Sequence, residues 1–324
     1  TLMMMKEHIV DTYGEIKYTM GNGCSGGSIQ QNTVASTFPG LLDGIQPSCD
    51  FSDAITTGIE VSDCVLLVNF YAGPEWTALM AGRTQAEINA KKTAINGHFD
   101  QTGCHGWNNA FGFNNKPGNY ARTLVVSQTT GALTTLAESR NNCGLPDTLV
   151  YDPATNPTGT RCGDPDAATA VWGTTTGIAP GSTRGLSTND NVGVQYGLKA
   201  LLAGTITPEE FVTLNEKIGG IDNDSNRMAA RSSADLAALD IAYRSGIVSS
   251  GKNLGKLPII DSRGFDEFTT SPTGAPIHFN WRSFAERARI DEKNGGNHGN
   301  QVMWRYGTGL LPVTAAQIAA VPTA

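Results

Sequence analysis

Residues 16–27 read IKYTMGNGCSGG and carry the clearest structural signal in the chain. Its first five residues form a short β-rich run, and residues 28–36 predict a helix that ends at FPG, 38–40. The pattern G-x-S-x-G between a strand and a helix is typical of a nucleophile elbow, a sharp turn that exposes a reactive serine. Because Gly23 and Gly27 lack side chains, the strand and the helix can approach each other. The stretch therefore predicts that Ser25 is a nucleophile on an α/β-hydrolase sheet.

Gly26 follows the serine and opens the predicted helix. The N–H groups of a first helical turn have no partner within the helix, and they attract negative charge. We therefore expect the N–H of Gly26 to donate to the oxyanion that forms when the serine attacks a carbonyl group. A hydroxyl is a weak nucleophile by itself, so the chain must also supply a base and an acid that orients this base.

The orienting acid is expected after a late strand, and LPII at 257–260 is the next convincing buried strand after the elbow region. It is followed by DSRGFDE at 261–267. Asp266 lies in the loop beyond the strand end, where such an acid is normally placed, and we favour it. Asp261 is the alternative, although it stands at the strand edge and can pair with Arg263.

The base must be one of five histidines, at positions 8, 98, 105, 278 and 298. The last predicted strand, 301–306, leads to Leu310 where a histidine is expected, so the base must come from elsewhere. His278 follows the late strand on the carboxyl side of the sheet, where the elbow also lies, and we favour it. His298 is the alternative. It follows Asp266 by 32 residues, but it precedes the last strand and so stands at the opposite end of a parallel sheet.

The elbow region and the late strand are about 200 residues apart, too far for a simple strand–helix–strand crossover. We expect a doubly wound, mostly parallel sheet in which residues 1–51 and 251–324 form the hydrolase core and residues 52–250 form an inserted cap. Helical patterns in the cap cover 83–96, 207–218 and 226–245. Because few residues precede the elbow, we also expect that early strands and a second oxyanion donor belong to a section that this chain lacks.

The composition excludes two classes of partner. The formal charge is −7, and no cluster of Lys and Arg is long enough to follow a nucleic-acid backbone. No run of 18 apolar residues predicts a membrane span. Residues 222–226, DNDSN, resemble half of a calcium loop, but Arg227 stands where that loop needs glycine. We therefore expect a helix-capping turn there, and no metal or other cofactor.

The six cysteines lack the spacing of a zinc site. An even number of scattered cysteines indicates disulfides and an oxidising compartment, so we expect a secreted or periplasmic protein. Cys24 and Cys49 follow two strands that would be neighbours in the sheet, so they can pair. The remaining cysteines would then pair as Cys143 with Cys162 and Cys64 with Cys104.

Further blocks accompany the elbow stretch, among them NPTGTRCGDPD, DNVGVQYGLKALLAGTITPEEF and LPIIDSRGFDEF. With these motifs the chain resembles, over nearly its whole length, a family of exported bacterial α/β-hydrolases. Its neighbourhood includes tannases, feruloyl esterases and hydrolases of polyesters or oxidised polyvinyl alcohol. The resemblance implies a Ser-His-Asp hydrolase with Ser25 at the elbow and His278 in a family block. Family members usually have an acid where this chain has Pro276.

These observations together predict a carboxylic-ester hydrolase that uses Ser25, His278 and Asp266. The expected partners are a small or polymeric ester substrate and either a companion N-terminal fragment or a second copy of the chain. An amidase or peptidase with the same triad is one alternative. A non-catalytic binding or assembly protein on a hydrolase scaffold is another, and Leu310 favours it.

Overall fold

The computed structural model describes residues 1–122, 125–126, 133–134, 138–176, 183–264 and 277–306. The helices are α1 (Leu2–Tyr13), α2 (Gly26–Thr37), α3 (Ala54–Tyr71), α4 (Pro74–Leu79), α5 (Gln85–Asn96), α6 (Thr102–Phe111), α7 (Asp164–Ala167), α8 (Thr169–Trp172), α9 (Leu198–Leu202), α10 (Pro208–Lys217), α11 (Leu236–Ser245) and α12 (Trp281–Lys293). The strands are β1 (Met20–Cys24), β2 (Gly44–Ser48), β3 (Asn119–Arg122), β4 (Val125–Val126), β5 (Leu133–Thr134), β6 (Glu138–Asn141), β7 (Thr174–Thr176), β8 (Thr183–Gly185), β9 (Gly220–Ile221), β10 (Arg227–Met228), β11 (Ile259–Gly264) and β12 (Gln301–Tyr306).

The central sheet has the order β1-β2-β11-β12, and each neighbouring pair is parallel. Cys24 at the end of β1 lies opposite Ser48 at the end of β2, and Gly264 at the end of β11 lies opposite Tyr306. Because parallel strands share one carboxyl edge, the residues that follow these strands converge there. The fold is therefore mixed α/β with a parallel central sheet, which is compatible with the predicted α/β-hydrolase class.

One face of this sheet is covered by two helices. Ile45 of β2 pairs in register with Ile259 of β11, and both side chains are buried. Ala35 of α2 and Ile290 of α12 belong to the same buried cluster, so these two helices pack on the same face. The doubly wound arrangement, with helices on both faces, stays a prediction.

The first strand begins later than the sequence suggests. The prediction of a strand over residues 16–20 is wrong, because β1 starts only at Met20. The backbone N–H of Thr19 donates to a carboxylate oxygen of Asp43 at 2.7 Å instead of to a strand, and Tyr18 is exposed. The glycine-rich segment itself is therefore the strand that carries the elbow.

The predicted helix over 226–245 is also wrong in its first half. Residues 227–228 form β10, which pairs with β9, and the helix begins only at Leu236. Between them, the backbone N–H groups of Ser232 and Ala234 donate to the side chains of Asn191 and Asp190, at 2.7 and 3.0 Å. Side-chain acceptors therefore take the bonds that a helix would need.

Helix α3 contributes Leu66, Leu67 and Phe70, all buried, to the largest hydrophobic cluster among the described residues. Among the described helices it alone is long and apolar enough to cross a membrane by length and composition. It also carries Glu60 and Asp63, and many of its side chains are buried in the protein, so packing in the core accounts for its apolar character. The inserted cap over 52–250, to which α3 would belong, stays a prediction.

The three predicted disulfides are confirmed. They join Cys24 to Cys49, Cys64 to Cys104 and Cys143 to Cys162. Disulfides of this kind form and persist in oxidising compartments, which suggests an extracellular or otherwise oxidising environment. The first of them lies at the carboxyl edge of the central sheet, next to the elbow.

Candidate active site

Ser25 occupies the turn between β1 and α2 with backbone angles of φ 56° and ψ −113°. A non-glycine residue in this region is strained, and such strain is characteristic of functional turns. A Cβ atom on Gly23 would lie 2.9 Å from the Cα atom of Gly27, so strand and helix do approach closely at this point. The backbone carbonyl of Ser25 accepts the first helical N–H groups of α2, from Ser28 and Ile29, which fixes the turn.

The elbow is also attached to the neighbouring strand. The backbone N–H of Ser25 donates to the carbonyl of Ser48 at 3.2 Å. Gly26 is the first residue of α2 and lines the same cavity as Ser25. Its N–H belongs to the first helical turn, where donors remain available for an anion.

His278 lies beside the elbow. One of its ring nitrogens is within 4.8 Å of the sulfur atoms of both Cys24 and Cys49, and Cys24 is the residue before Ser25. The imidazole is buried and packs edge-on against the ring of Phe51, with 5.6 Å between centroids. The structure thus brings His278, but not His298, to the carboxyl edge that carries Ser25.

His298 lies at the other end of the sheet. It precedes β12, and its Nε2 is in hydrogen-bond contact with the carbonyl of Gly255, which precedes β11. His105 is buried in α6, and burial together with Lys92 lowers the pKa of its ring to about 4. Neither side chain lines the cavity at Ser25, and the His278 side chain does not line it either; what separates His278 from the other two is its place beside Cys24.

A buried arginine holds the histidine segment in place. Arg263 of β11 is 1% exposed, and its guanidinium donates to the backbone carbonyls of Phe279 and Asp50. Phe279 follows His278 and Asp50 follows Cys49, so one side chain connects both segments. Sequence reasoning considered Arg263 only as a partner of Asp261. The available sequence signal was the alternation of side chains along a strand, which places residues 261 and 263 on the same face of β11.

The candidate orienting acids are Asp266 and Asp261. Asp266 lies outside the described residues. Asp261 is the third residue of β11 and is fully buried, where it accepts from Gln301 at 3.3 Å and lies 3.7 Å from Arg305. Burial raises its pKa. The charges of Arg263 and of Arg305 on the neighbouring strand both oppose this rise in pKa, and the Arg263 guanidinium also donates to backbone carbonyls.

Asp50 is a buried carboxyl that the sequence analysis did not single out. It directly follows Cys49 and accepts a 2.7 Å hydrogen bond from Asn32 of α2. Burial raises its pKa to about 7, and the neighbouring Asp261 adds to the effect, while Arg263 opposes it. Its place after a strand of the sheet was the only sequence signal for it.

Ser25 opens into a cavity of about 290 Å³. Its walls include apolar side chains, among them Val61, Val65, Trp107 and Phe111. Polar side chains also line it, namely Thr57, Ser62, Asn114, Asn115, Asp164 and Ser225. Of the three tryptophans in the predicted cap, only Trp107 lines this cavity. Trp76 is buried in the same hydrophobic cluster as Trp107, and Trp172 is buried in a different one.

The segment that resembles half of a calcium loop is a turn between β9 and β10, so the prediction of a helix-capping turn is wrong. The side chain of Asp222 accepts from the backbone N–H groups of Asp224 and Asn226 at 2.9 and 2.8 Å. The carboxylate of Asp224 forms an ion pair with Arg161. A protein cation therefore binds one of the carboxylates of this turn.

Fold and site together define a mixed α/β protein with a strained serine at the carboxyl edge of a parallel sheet. The chain belongs to a tannase-like family of unknown function, DUF6351, whose family model matches residues 1–322. Membership of this family confirms the predicted resemblance and supports an ester hydrolase in general.

No curated protein matches the chain. Among solved structures, the chain is similar to an esterase from Aspergillus oryzae, with 13% sequence identity and a TM-score of 0.34. The match covers 95% of this chain and 54% of the esterase, so the chain spans about half the length of that protein.

Proposed function

We propose that the chain is an exported carboxylic-ester hydrolase that works through an acyl-enzyme. Ser25 is the nucleophile, His278 the general base and then general acid, and Asp266 the orienting acid. The N–H of Gly26 is one donor of the oxyanion hole. The observation that carries the proposal is the strained Ser25 turn, which faces a cavity and has the His278 imidazole next to its neighbour Cys24.

The chemistry follows from these positions. The Ser25 oxygen attacks the ester carbonyl carbon while His278 accepts the hydroxyl proton. The carbonyl oxygen becomes negative, and the Gly26 N–H at the start of α2 stabilises it. His278 then gives its proton to the departing alcohol. Water, activated by the same imidazole, releases the acid and restores Ser25.

The cavity supports a particular kind of ester. Its apolar walls, with Trp107 and Phe111, favour a flat or short apolar group. The amides of Asn114 and Asn115, the Asp164 carboxyl and the Ser225 hydroxyl can bind hydroxyl groups on that ligand. A phenolic acyl group has both properties, and this agrees with the tannase-like description of the family. Three disulfides support export.

The test replaces Ser25 by Ala and uses Ser233→Ala, an exposed serine, as the matched control. Hydrolysis of p-nitrophenyl esters should fall by more than about a thousandfold in the first variant and stay unchanged in the second. The thermal unfolding of both should resemble that of the wild type. Unchanged hydrolysis in Ser25→Ala would refute the proposal. Faster cleavage of matched anilides than of esters would indicate an amidase instead.

A second pair of variants tests whether Asp266 or Asp261 orients the histidine. Asp266→Asn should lower kcat by about a thousandfold or more, because the imidazole loses its orienting partner. Asp261→Asn should chiefly lower the unfolding temperature, since Asp261 is buried beside Arg305. Full activity of Asp266→Asn would exclude it as the acid.

A further inference from the structure

The Cys24–Cys49 disulfide beside the elbow and the nearby His278 contain three atoms that can bind a metal ion. The sulfur atoms of Cys24 and Cys49 and a ring nitrogen of His278 all lie within 4.8 Å of one another. A disulfide sulfur carries no charge and is a poor ligand, whereas a thiolate binds soft metal ions strongly. We propose that reduction of this disulfide creates a site for a thiophilic divalent cation, such as Zn²⁺ or Cd²⁺, with these three residues as ligands.

The two cysteines stay close without the bond between them. Cys24 is held in register with Ser48 by the pairing of β1 with β2, and the Ser25 N–H donates to the Ser48 carbonyl at 3.2 Å. The N–H of Cys49 donates to the carbonyl of Ser262 in β11 at 3.3 Å. The Cα atoms of the two cysteines are 5.1 Å apart. The parallel sheet therefore keeps both thiols at its carboxyl edge after reduction.

The histidine is positioned independently of the disulfide. Arg263, which is almost fully buried, donates to the carbonyl of Phe279, the residue after His278. The His278 ring also packs against Phe51. The third ligand is therefore fixed by the same sheet strand, β11, that holds Cys49, and the site is largely preorganised.

The distances suit a tetrahedral ion. Zn–S and Zn–N bonds are about 2.3 and 2.0 Å, so ligand atoms in such a site lie about 3.5 to 3.8 Å apart. The two sulfur atoms must separate from bonding contact, and the imidazole must approach them by about 1 Å at most. Two thiolates, one imidazole and an open fourth position form a donor set that Zn²⁺ accepts.

The steps balance with a dithiol reductant such as dithiothreitol. The dithiol supplies two electrons and two protons, the Cys24–Cys49 bond breaks to two thiols, and the reductant becomes its cyclic disulfide. Binding of the cation then releases the two thiol protons. A metal-bound nitrogen of His278 cannot accept the Ser25 proton, so ester hydrolysis should stop. This effect on turnover rests on the proposed function, but the binding of the cation does not.

The test is a Cd²⁺ titration of the reduced protein without oxygen, followed by the ultraviolet charge-transfer absorption of cadmium thiolates. Reduction also frees the thiols of Cys143 and Cys162 and can free those of Cys64 and Cys104, which bind Cd²⁺ as well, so Cys143→Ser/Cys162→Ser serves as the background and the bound ions are counted. In this background His278→Ala should weaken the binding of one Cd²⁺ by about tenfold or more, and Cys24→Ser/Cys49→Ser should remove one bound ion with its share of the absorption. An unchanged number of bound Cd²⁺ ions after Cys24→Ser/Cys49→Ser is added to the background would overturn the proposal. So would loss of the near-ultraviolet circular dichroism of the wild type on reduction, because the sheet would then fail to hold the ligands.

Hydrolysis of p-nitrophenyl esters is measured on the same samples. The oxidised wild type should be active, and Zn²⁺ should lower the activity of the reduced protein by about a hundredfold until a chelator removes it. An inactive oxidised protein would contradict the proposed function and leave the titration as an independent test. Bound Cd²⁺ with unchanged hydrolysis would contradict the role of His278 as the base, not the metal site.

Discussion

At the scale of single residues, Gly23 decides whether the elbow can form. Its φ is 157°, and any Cβ there would meet the backbone of Gly27 at 2.9 Å. A Cβ on Gly27, in contrast, would point into open space. The two glycines of the G-x-S-x-G pattern therefore have different roles, although the sequence presents them as equivalent.

This difference gives a matched pair of variants. Gly23→Ala should destabilise the protein by about 1 to 3 kcal/mol, because strand β1 and helix α2 must move apart. Gly27→Ala should leave stability unchanged or slightly higher, since alanine favours the helix. Urea unfolding measures both. Equal stability of the two variants would contradict the close approach at the elbow.

At the scale of elements, Arg263 of β11 connects the segment after β2 with the segment that carries His278. Lysine keeps the charge but cannot reach two carbonyls with one planar group. Arg263→Lys should therefore lower kcat by about tenfold to a hundredfold with little change in KM, because the imidazole shifts while the cavity stays intact.

The control for this variant is Arg244→Lys, whose side chain is exposed on α11. It should keep the wild-type kcat and KM. A purely structural role for Arg263 would instead lower the unfolding temperature and leave kcat per folded molecule unchanged. That result would refute the positioning role.

Much of the element order could be predicted from the sequence, and the failures have physical causes. The pattern in residues 301–306 gives β12 with its observed bounds, and 281–293 forms one amphipathic helix, α12. The start of β1 and the helix before Leu236 were mispredicted because side chains of Asp43, Asp190 and Asn191 bind the backbone there. Such long-range bonds leave no local pattern.

The candidate site could be predicted only in part. Ser25 followed from a local motif, and the structure gives it the backbone of a strained turn. The choice of His278 over His298 depended on which edge of a parallel sheet each loop reaches, which strand order determines. Arg263 and Asp50 were missed because their roles arise from burial and from contacts between segments that are distant in the chain.

At the scale of the whole molecule, buried carboxyls should make stability depend on pH. Burial raises the pKa of Glu286 to about 8 and that of Asp50 to about 7. In the unfolded chain these groups ionise near 4.5 and 3.8, so between those values and pH 8 the folded state holds more protons. The contribution of these protonated carboxyls to the free energy of unfolding is therefore fully present at low pH and is lost as the pH rises through about 7 and 8.

This effect is best measured between pH 6.5 and 8. The lowered pKa of His105 changes the stability only below pH 6.5, so it does not contribute in this range. The unfolding temperature should fall across this window by about 2 °C or more. Glu286→Gln should reduce the fall, since glutamine stays neutral. Glu292→Gln, an exposed position on the same helix, should leave it unchanged. An unfolding temperature that rises with pH, or an identical fall in both variants, would contradict the buried, protonated state of Glu286.

In the proposed mechanism, His278 activates Ser25. The most direct test of this claim is the rate at which a fluorophosphonate labels the protein, with the modified residue located by mass spectrometry. We expect the label on Ser25 in the wild type and in His298→Ala at equal rates, and labelling slower by about a hundredfold in His278→Ala. Label on another residue, or slow labelling in His298→Ala with normal labelling in His278→Ala, would contradict the claim.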